Sequence, residues 1–265
     1  MTSQASQFVG SIPENYDKGL GPHIFHGYAN DLAQRVAALS PVRVLELAAG
    51  TGIVTRRLRD ALDEGCRLTA SDLNGPMLDV AKEKFENGEL VDFQVIDAMD
   101  ISHGDENFDA VVCQFGVMFF PDKARSFAEV HRVLKPAGHY IFSCWDSWTE
   151  NPFAELAHTV VMEFFPEDPP GFYKVPFSYY DSEEIEETVL GAGFDQVEIE
   201  HVALTSPIPS PELFAKGVVF GNPLFDEIIS RNGDANAVQE RMTVAIAEQL
   251  GKQMPLKALV VHARK

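Results

Sequence analysis

The stretch Val44-Leu45-Glu46-Leu47-Ala48-Ala49-Gly50-Thr51-Gly52 decides how this chain is read. It opens as an almost wholly apolar run and closes in a turn with two glycines. The apolar part suits a short strand covered on both faces, as in a parallel sheet. The glycine turn suits the place where such a strand hands over to a helix that holds a nucleotide-like ligand. Directly downstream, "IVTRRLRDAL" (53–62) has the spacing of an amphipathic helix, which completes a strand–turn–helix unit.

The alternation continues on both sides. With the first strand at 42–47, further strands are expected at 67–71, 91–96, 108–113, 139–145, 196–203 and 256–263, and helices at 76–85, 121–134 and 182–190. "KPAG" (135–138) marks the end of the 121–134 helix, with Pro136 as breaker and Gly138 as release. "HIFHGYANDLAQRVAAL" (23–39) reads as a helix with Ile24, Tyr28, Leu32 and Val36 on one face, and residues 1–22 read as irregular. Strands alternating with helices mean βαβ units, so the expected class is α/β: a doubly wound, Rossmann-like, seven-stranded, mostly parallel sheet. The expected organisation is one domain over 1–265. Its core is 41–145, its sheet ends in 182–206 and 256–265, and it is interrupted by 1–40, 146–181 and 207–255. In an open parallel sheet, ligands sit beyond the carboxyl ends of the strands, so the interruptions are expected to form a lid there.

Composition bounds the function. The 265 residues are 45% hydrophobic and 23% charged, as in a well-cored soluble protein. A formal net charge of -19 argues against nucleic acid and against anionic membranes. The three cysteines, Cys66, Cys113 and Cys144, form no CxxC pair and sit in or beside apolar runs, so free buried thiols in a reducing compartment are expected. The N-terminus has no secretory pattern, and no apolar run approaches ~18 residues. A cytoplasmic protein, monomeric or homodimeric, is the expectation.

The glycine turn separates two ligands. Gly50 and Gly52 match the first two positions of the dinucleotide pattern G-x-G-x-x-G/A, but Thr55 holds the third. Asp72, 20 residues after Gly52, stands where a ribose-binding acid belongs and suits either ligand. Glu46 discriminates. A carboxylate inside an apolar strand is expensive unless paired. A diphosphate would repel it, whereas an α-amino group would pair with it.

With those residues in hand, a family resemblance is plain. "VLELAAGTG" resembles motif I of class I S-adenosylmethionine-dependent methyltransferases, with Ala48 in place of the first glycine. "TASDLN" resembles motif II, which implies that Asp72 holds the ribose hydroxyls and that Leu73 flanks the adenine. "FQVIDAMD" resembles the adenine-binding turn, with the Asp97 carboxylate on the exocyclic amine, the Ala98 N–H on the ring and Met99 on its face. "FDAVVCQFGVMFFPD" and "RVLKPAG" are similar to later motifs of the ubiquinone/menaquinone-type (methyltransferase type 11-like) small-molecule group. They place Cys113 and Gln114 near the methionine moiety. The resemblance covers roughly 42–145. It implies that the last strand is antiparallel, that S-adenosylmethionine is the cofactor and S-adenosylhomocysteine its product, and that Tyr16 and Asp17 belong to an N-terminal lid segment.

Transfer of an activated methyl needs positioning and exclusion of water more than a catalytic triad, and the sequence shows no triad. No metal site is expected. The aromatics of 145–180 suit a small aromatic or apolar acceptor, methylated at O, N or C. Trp145, Trp148, Phe172, Tyr173 and Tyr180 are the candidate pocket residues. For a general base, His158 stands ahead of His23 and His26, each against the reading of a structural histidine. The alternatives are an NAD(P)-dependent oxidoreductase, for which no YxxxK pair occurs, and a non-catalytic cofactor-binding partner subunit.

Overall fold

The structure is a computed structural model that describes residues 8–265; expectations that fall on 1–7 lie outside the described residues. Its sheet has seven strands: β1 (Arg43–Glu46), β2 (Arg67–Asp72), β3 (Val91–Val95), β4 (Phe108–Gln114), β5 (Leu134–Trp145), β6 (Gln196–Pro207) and β7 (Gln253–Arg264), in the spatial order β3-β2-β1-β4-β5-β7-β6. The first five pair in parallel, and β7 inserts antiparallel between β5 and β6. The order reverses between β1 and β4. That switch point opens a crevice at the carboxyl ends of the strands.

The N-terminal part holds α1 (Ile12–Asn15), a strap (Tyr16–Phe25) wound as a π-helix, and α2 (His26–Ala37). Between the strands run α3 (Ile53–Ala61), α4 (Gly75–Lys82), α5 (Lys123–Val133), α6 (Pro152–Phe164) and α7 (Ser182–Gly191). Between β6 and β7 run α8 (Pro211–Phe220), α9 (Leu224–Ser230) and α10 (Ala235–Gln249). One buried apolar cluster passes without a break from the sheet (Leu45, Val111, Phe142) into the interrupting helices (Val160, Phe214, Met242).

The structure departs from sequence expectation in three places. The 23–39 helix is α-helical only from His26; residues expected to be irregular are the strap, where the His26 N–H reaches Gly21 O. "KPAG" does follow the end of α5 at Val133, but it already lies inside β5, as a bulge ahead of the expected strand start at 139. Ala137 stands at φ 61°, and the β4–β5 register shifts between Phe108 and Ala110. β6 and β7 run longer than expected because they pair along twelve residues, which local apolar pattern does not report. Among the described residues, no helix is long and apolar enough to cross a membrane.

Asp109 fixes where β1 starts. Its carboxylate accepts the N–H groups of Val42 (3.0 Å) and Arg43 (2.8 Å) and pairs with Lys135 at 2.6 Å. Partial burial opposes its charge, but Lys135 and the two N–H groups prevail and hold its pKa below the ordinary value. The stability it contributes is therefore present above the ordinary carboxylate range and is lost as pH falls through the lowered value. Asp109→Ala is expected to lower stability by about 2 kcal/mol at pH 7. In denaturant titrations the gap between the two proteins should close as pH approaches 2.

Candidate functional site

The carboxyl ends of β1 to β4 surround a cavity of about 470 Å³. The turn after β1 has three residues in the left-handed region, Ala48 (φ 51°), Gly50 (φ 56°) and Gly52 (φ 78°), of which the first two line the cavity. Glycine adopts this conformation freely, whereas alanine is strained in it by about 1 kcal/mol. Ala48 is accommodated from the facing loop. A methyl group built on Gly116 would lie 2.6 Å from the Ala48 Cβ, so Gly116 leaves the room that the Ala48 methyl takes.

Asp72, at the end of β2, is 7% exposed and holds the turn in shape. One oxygen accepts the Gly50 N–H at 2.9 Å and the other the Asn74 N–H at 2.8 Å. Burial raises its pKa, and those N–H groups offset part of the rise. Asp97 accepts the Met99 N–H at 2.9 Å and shapes the turn after β3.

Glu46 lies at the end of β1, 1% exposed. It opens onto a recess of about 20 Å³ that shares Tyr16, Ala48, Gly50 and Gln114 with the large cavity. Its Oε2 is buried without a hydrogen-bond partner, and so is Oε1 of Gln114. Burial, with the nearby charge of Asp72, pushes the Glu46 carboxyl up to about 8.

Of the cofactor residues read from sequence, Tyr16, Ala48, Gly50, Asp72, Leu73, Asp97, Ala98, Met99 and Gln114 line the large cavity, and Glu46 lines the recess. Two lie behind the wall. Gly52 is a packing position: a methyl there would meet Ala81 Cβ at 2.8 Å. Cys113 is fully buried, and burial pushes its thiol far up, so it is no nucleophile. Sequence reasoning missed Phe8, Met77, Ile96 and the rim of Phe119, Phe120, Pro121 and Arg125. Ile96, Phe119, Phe120 and Pro121 lie inside quoted motifs without being singled out, Phe8, Met77 and Arg125 lie in none, and only the folded chain brings them together at the crevice.

A second, apolar cavity of about 60 Å³ adjoins the first and shares Phe8, Tyr16, Phe115 and Phe119 with it. Of the candidate pocket residues, Trp145, Phe172 and Tyr173 line it, together with Phe153, Phe177 and Asn222. Phe115 and Trp145 stack face to face at 3.9 Å. Trp148 and Tyr180 do not line it: the Trp148 indole N–H donates to Tyr173 O at 3.1 Å, and Tyr180 is 45% exposed. His158 packs on the Trp148 ring at 5.1 Å and lines none of these three cavities, and neither do His23 and His26.

Elsewhere, Ser182 Oγ stands 3.4 Å from His201 Nε2, and the His201 Nδ1–H donates to Asp146 at 2.9 Å. This relay is structural. The Asp181 carboxylate takes the N–H groups of Glu183 and Glu184 that an oxyanion would need, and Ser182 lines no cavity.

A doubly wound sheet of this order, with an acid ending β1, a glycine turn and an acid ending β2, is the architecture that the resemblance to class I S-adenosylmethionine-dependent methyltransferases implies. Comparison with known proteins agrees. Residues 45–142 match the methyltransferase domain family. A ubiquinone/menaquinone biosynthesis C-methyltransferase of Bartonella tribocorum is 35% identical over 149 residues, covering 52% of this chain and 56% of that protein. A demethylmenaquinone methyltransferase of Deinococcus radiodurans is 33% identical over 139 residues, covering 51% of this chain and 57% of that one. The chain thus spans little more than half the length of these relatives. Among solved structures, phosphoethanolamine N-methyltransferase 2 of Haemonchus contortus, in complex with S-adenosylhomocysteine, shares the fold. Its TM-score is 0.60 at 17% identity, over 96% of this chain and 56% of that one.

Glu46 gives the site a pH signature. Its pKa is raised in the folded chain, so the ligand-free protein is stabilised below the ordinary carboxyl value and loses that stability as pH rises through about 8. Glu46→Gln is expected to flatten the trend. In thermal melts it should exceed the parent by at least about 1 kcal/mol at pH 8.5 and match it near pH 5. Parallel curves for the two proteins would refute the assignment.

Proposed function

We propose that this chain binds S-adenosylmethionine in the large cavity and transfers its methyl group to a small aromatic or apolar acceptor held against the adjoining aromatic cavity. The observation that carries this reading is Glu46. A buried carboxyl whose Oε2 faces no protein donor fits a ligand that brings a cation, and its neighbour Gln114 offers a second free acceptor. A dinucleotide is disfavoured, because its diphosphate would lie between Glu46 and Asp72. The only cationic side chain lining the large cavity, among the described residues, is Arg125 at the rim.

When bound, the cofactor supplies an electrophilic methyl on a sulfonium. The chain's own residues do the rest. Glu46 holds the α-ammonium, and Asp72 accepts from the ribose hydroxyls while keeping Gly50 in place. Asp97 and the Ala98 N–H read the adenine edge, between Leu73 and Met99. The aromatic walls exclude water and offer ring faces to positive charge. Burial, with the charges of Asp72 and Asp17, keeps the Tyr16 hydroxyl protonated, so it serves as a hydrogen-bond donor and not as a base. No histidine lines the cavities among the described residues, so the acceptor is one whose reacting atom needs no histidine base.

The aromatic cavity, at about 60 Å³ against about 470 Å³, is far the smaller of the two and adjoins the larger along Phe8, Tyr16, Phe115 and Phe119. Calorimetry tests the cofactor: S-adenosylhomocysteine should bind and NAD should not, and the reverse result would overturn the reading. Binding at pH 7 should release a proton from Glu46, seen as an enthalpy that varies with the buffer. Asp72→Ala should weaken binding by about 10- to 100-fold, the value of hydrogen bonds to a charged acceptor. Transfer of a labelled methyl to a panel of small aromatic acceptors then separates an enzyme from a binder.

A further inference from the structure

The strap is wound as a π-helix over the ten residues Tyr16–Phe25. Such winding rarely exceeds one turn and is often found at functional sites. Its own sequence does not favour it: Gly19, Gly21 and Pro22 are all poor helix formers. Tertiary contacts hold it on two sides. Toward the glycine turn, the Asp17 carboxylate pairs with Lys84 and accepts the Thr51 hydroxyl at 2.7 Å, and Lys84 also donates to Thr51 O at 2.6 Å. Toward α8 the contact is backbone on backbone. A methyl on Gly217 would lie 2.5 Å from the Gly19 carbonyl carbon, and one on Gly19 would lie 2.5 Å from the Gly217 Cα. Gly221, one turn further on, comes so close that a methyl there would sit 3.0 Å from the Tyr16 nitrogen. His23 stacks on Phe214 at 4.8 Å, and the Ser206 hydroxyl donates to His23 O at 2.5 Å.

These tethers place Tyr16 on the wall of all three cavities, beside the partnerless oxygens of Glu46 and Gln114. We propose that Gly19 and Gly217 are positioning residues for this site: their backbone contact seats the strap, and through Tyr16 it sets how tightly the large cavity holds the cofactor. Neither glycine lines that cavity, and α8 contributes no residue to its wall. The C-terminal interruption thereby controls binding at a site it does not touch. The proposal rests on the reading of the large cavity as the S-adenosylmethionine site.

Gly217→Ala in the full chain separates this from a local effect, because the two accounts predict opposite signs. Alanine inside a helix favours the helix, so an irrelevant contact would leave the variant with a raised Tm and unchanged affinity. If Gly217 seats the strap, amide exchange speeds up at 12–25 and at 211–221 together, while β1, β2 and β4 stay protected. S-adenosylhomocysteine then binds about 10-fold more weakly, and saturating S-adenosylhomocysteine restores slow exchange at 12–25. Phe214→Leu, which loosens the same seat without a clash, should shift both readings in the same direction. Unchanged exchange at 12–25, or unchanged affinity, in both variants overturns the proposal. If the parent protein binds no S-adenosylhomocysteine, the cofactor reading fails, while coupled exchange of 12–25 and 211–221 still reports on the seat.

Discussion

A carboxyl group buried at the end of β1 governs the rest of this site. Glu46 has lost its water, one of its oxygens meets no protein donor, and its pKa has risen to about 8. Removing charge from water without a partner is among the larger penalties a fold carries. Hydrogen bonds from Thr55 relieve only part of it. Asp72 adds a second negative charge nearby, and the adjacent Gln114 amide leaves its own oxygen unpaired. Such a cluster is poorly arranged for stability and well arranged for a cationic ligand, which would relieve both oxygens at once.

That constraint explains the local backbone. For Glu46 to face the crevice, the chain must turn sharply after Leu47, and three residues in the left-handed region make the turn. The Asp72 carboxylate on the Gly50 N–H locks it to β2. Gly52 then brings α3 against α4, since a side chain there would collide with Ala81. Of the three left-handed residues in this turn, Ala48 is the non-glycine one and so the strained one, and Gly116 on the loop after β4 is its complement. A departure on one strand end has thus been matched by an absent side chain on the neighbouring one.

The parts of the fold legible in the sequence are those in which local pattern and tertiary role coincide. The apolar runs at 44–47, 68–70 and 110–113 become buried parallel strands because helices cover both of their faces. The acid and glycine positions of the β1 and β2 turns could be read for the same reason: backbone geometry and chemistry both restrict the residue type. The strap could not be read, because its conformation is imposed from outside. Gly19 and Pro22 look like a loop, and only contact with α8 and with Asp17's partners makes them a helix of unusual pitch. The aromatic residues were legible as a group and not one by one. Trp145 and Trp148 are three residues apart, yet one faces the cavity and the other packs on His158.

The strap and α8 meet beside the crevice, and this bears on how the strap is held. The strap is fastened on one side by an ion pair and hydrogen bonds at Asp17, which solvent can replace, and on the other by close backbone packing against α8, which it cannot. When the strap moves, the polar fastening is the side that gives, because water compensates the lost partners, whereas parting Gly19 from Gly217 would leave an unfilled seam. The Asp17 side faces the glycine turn, and the Gly217 side faces the aromatic cavity through Tyr173 and Asn222, both hydrogen-bonded into α8. The fastening that water can replace thus borders the large cavity, and the close-packed one borders the aromatic cavity. Tyr16 lines both cavities, so the two fastenings act on one side chain.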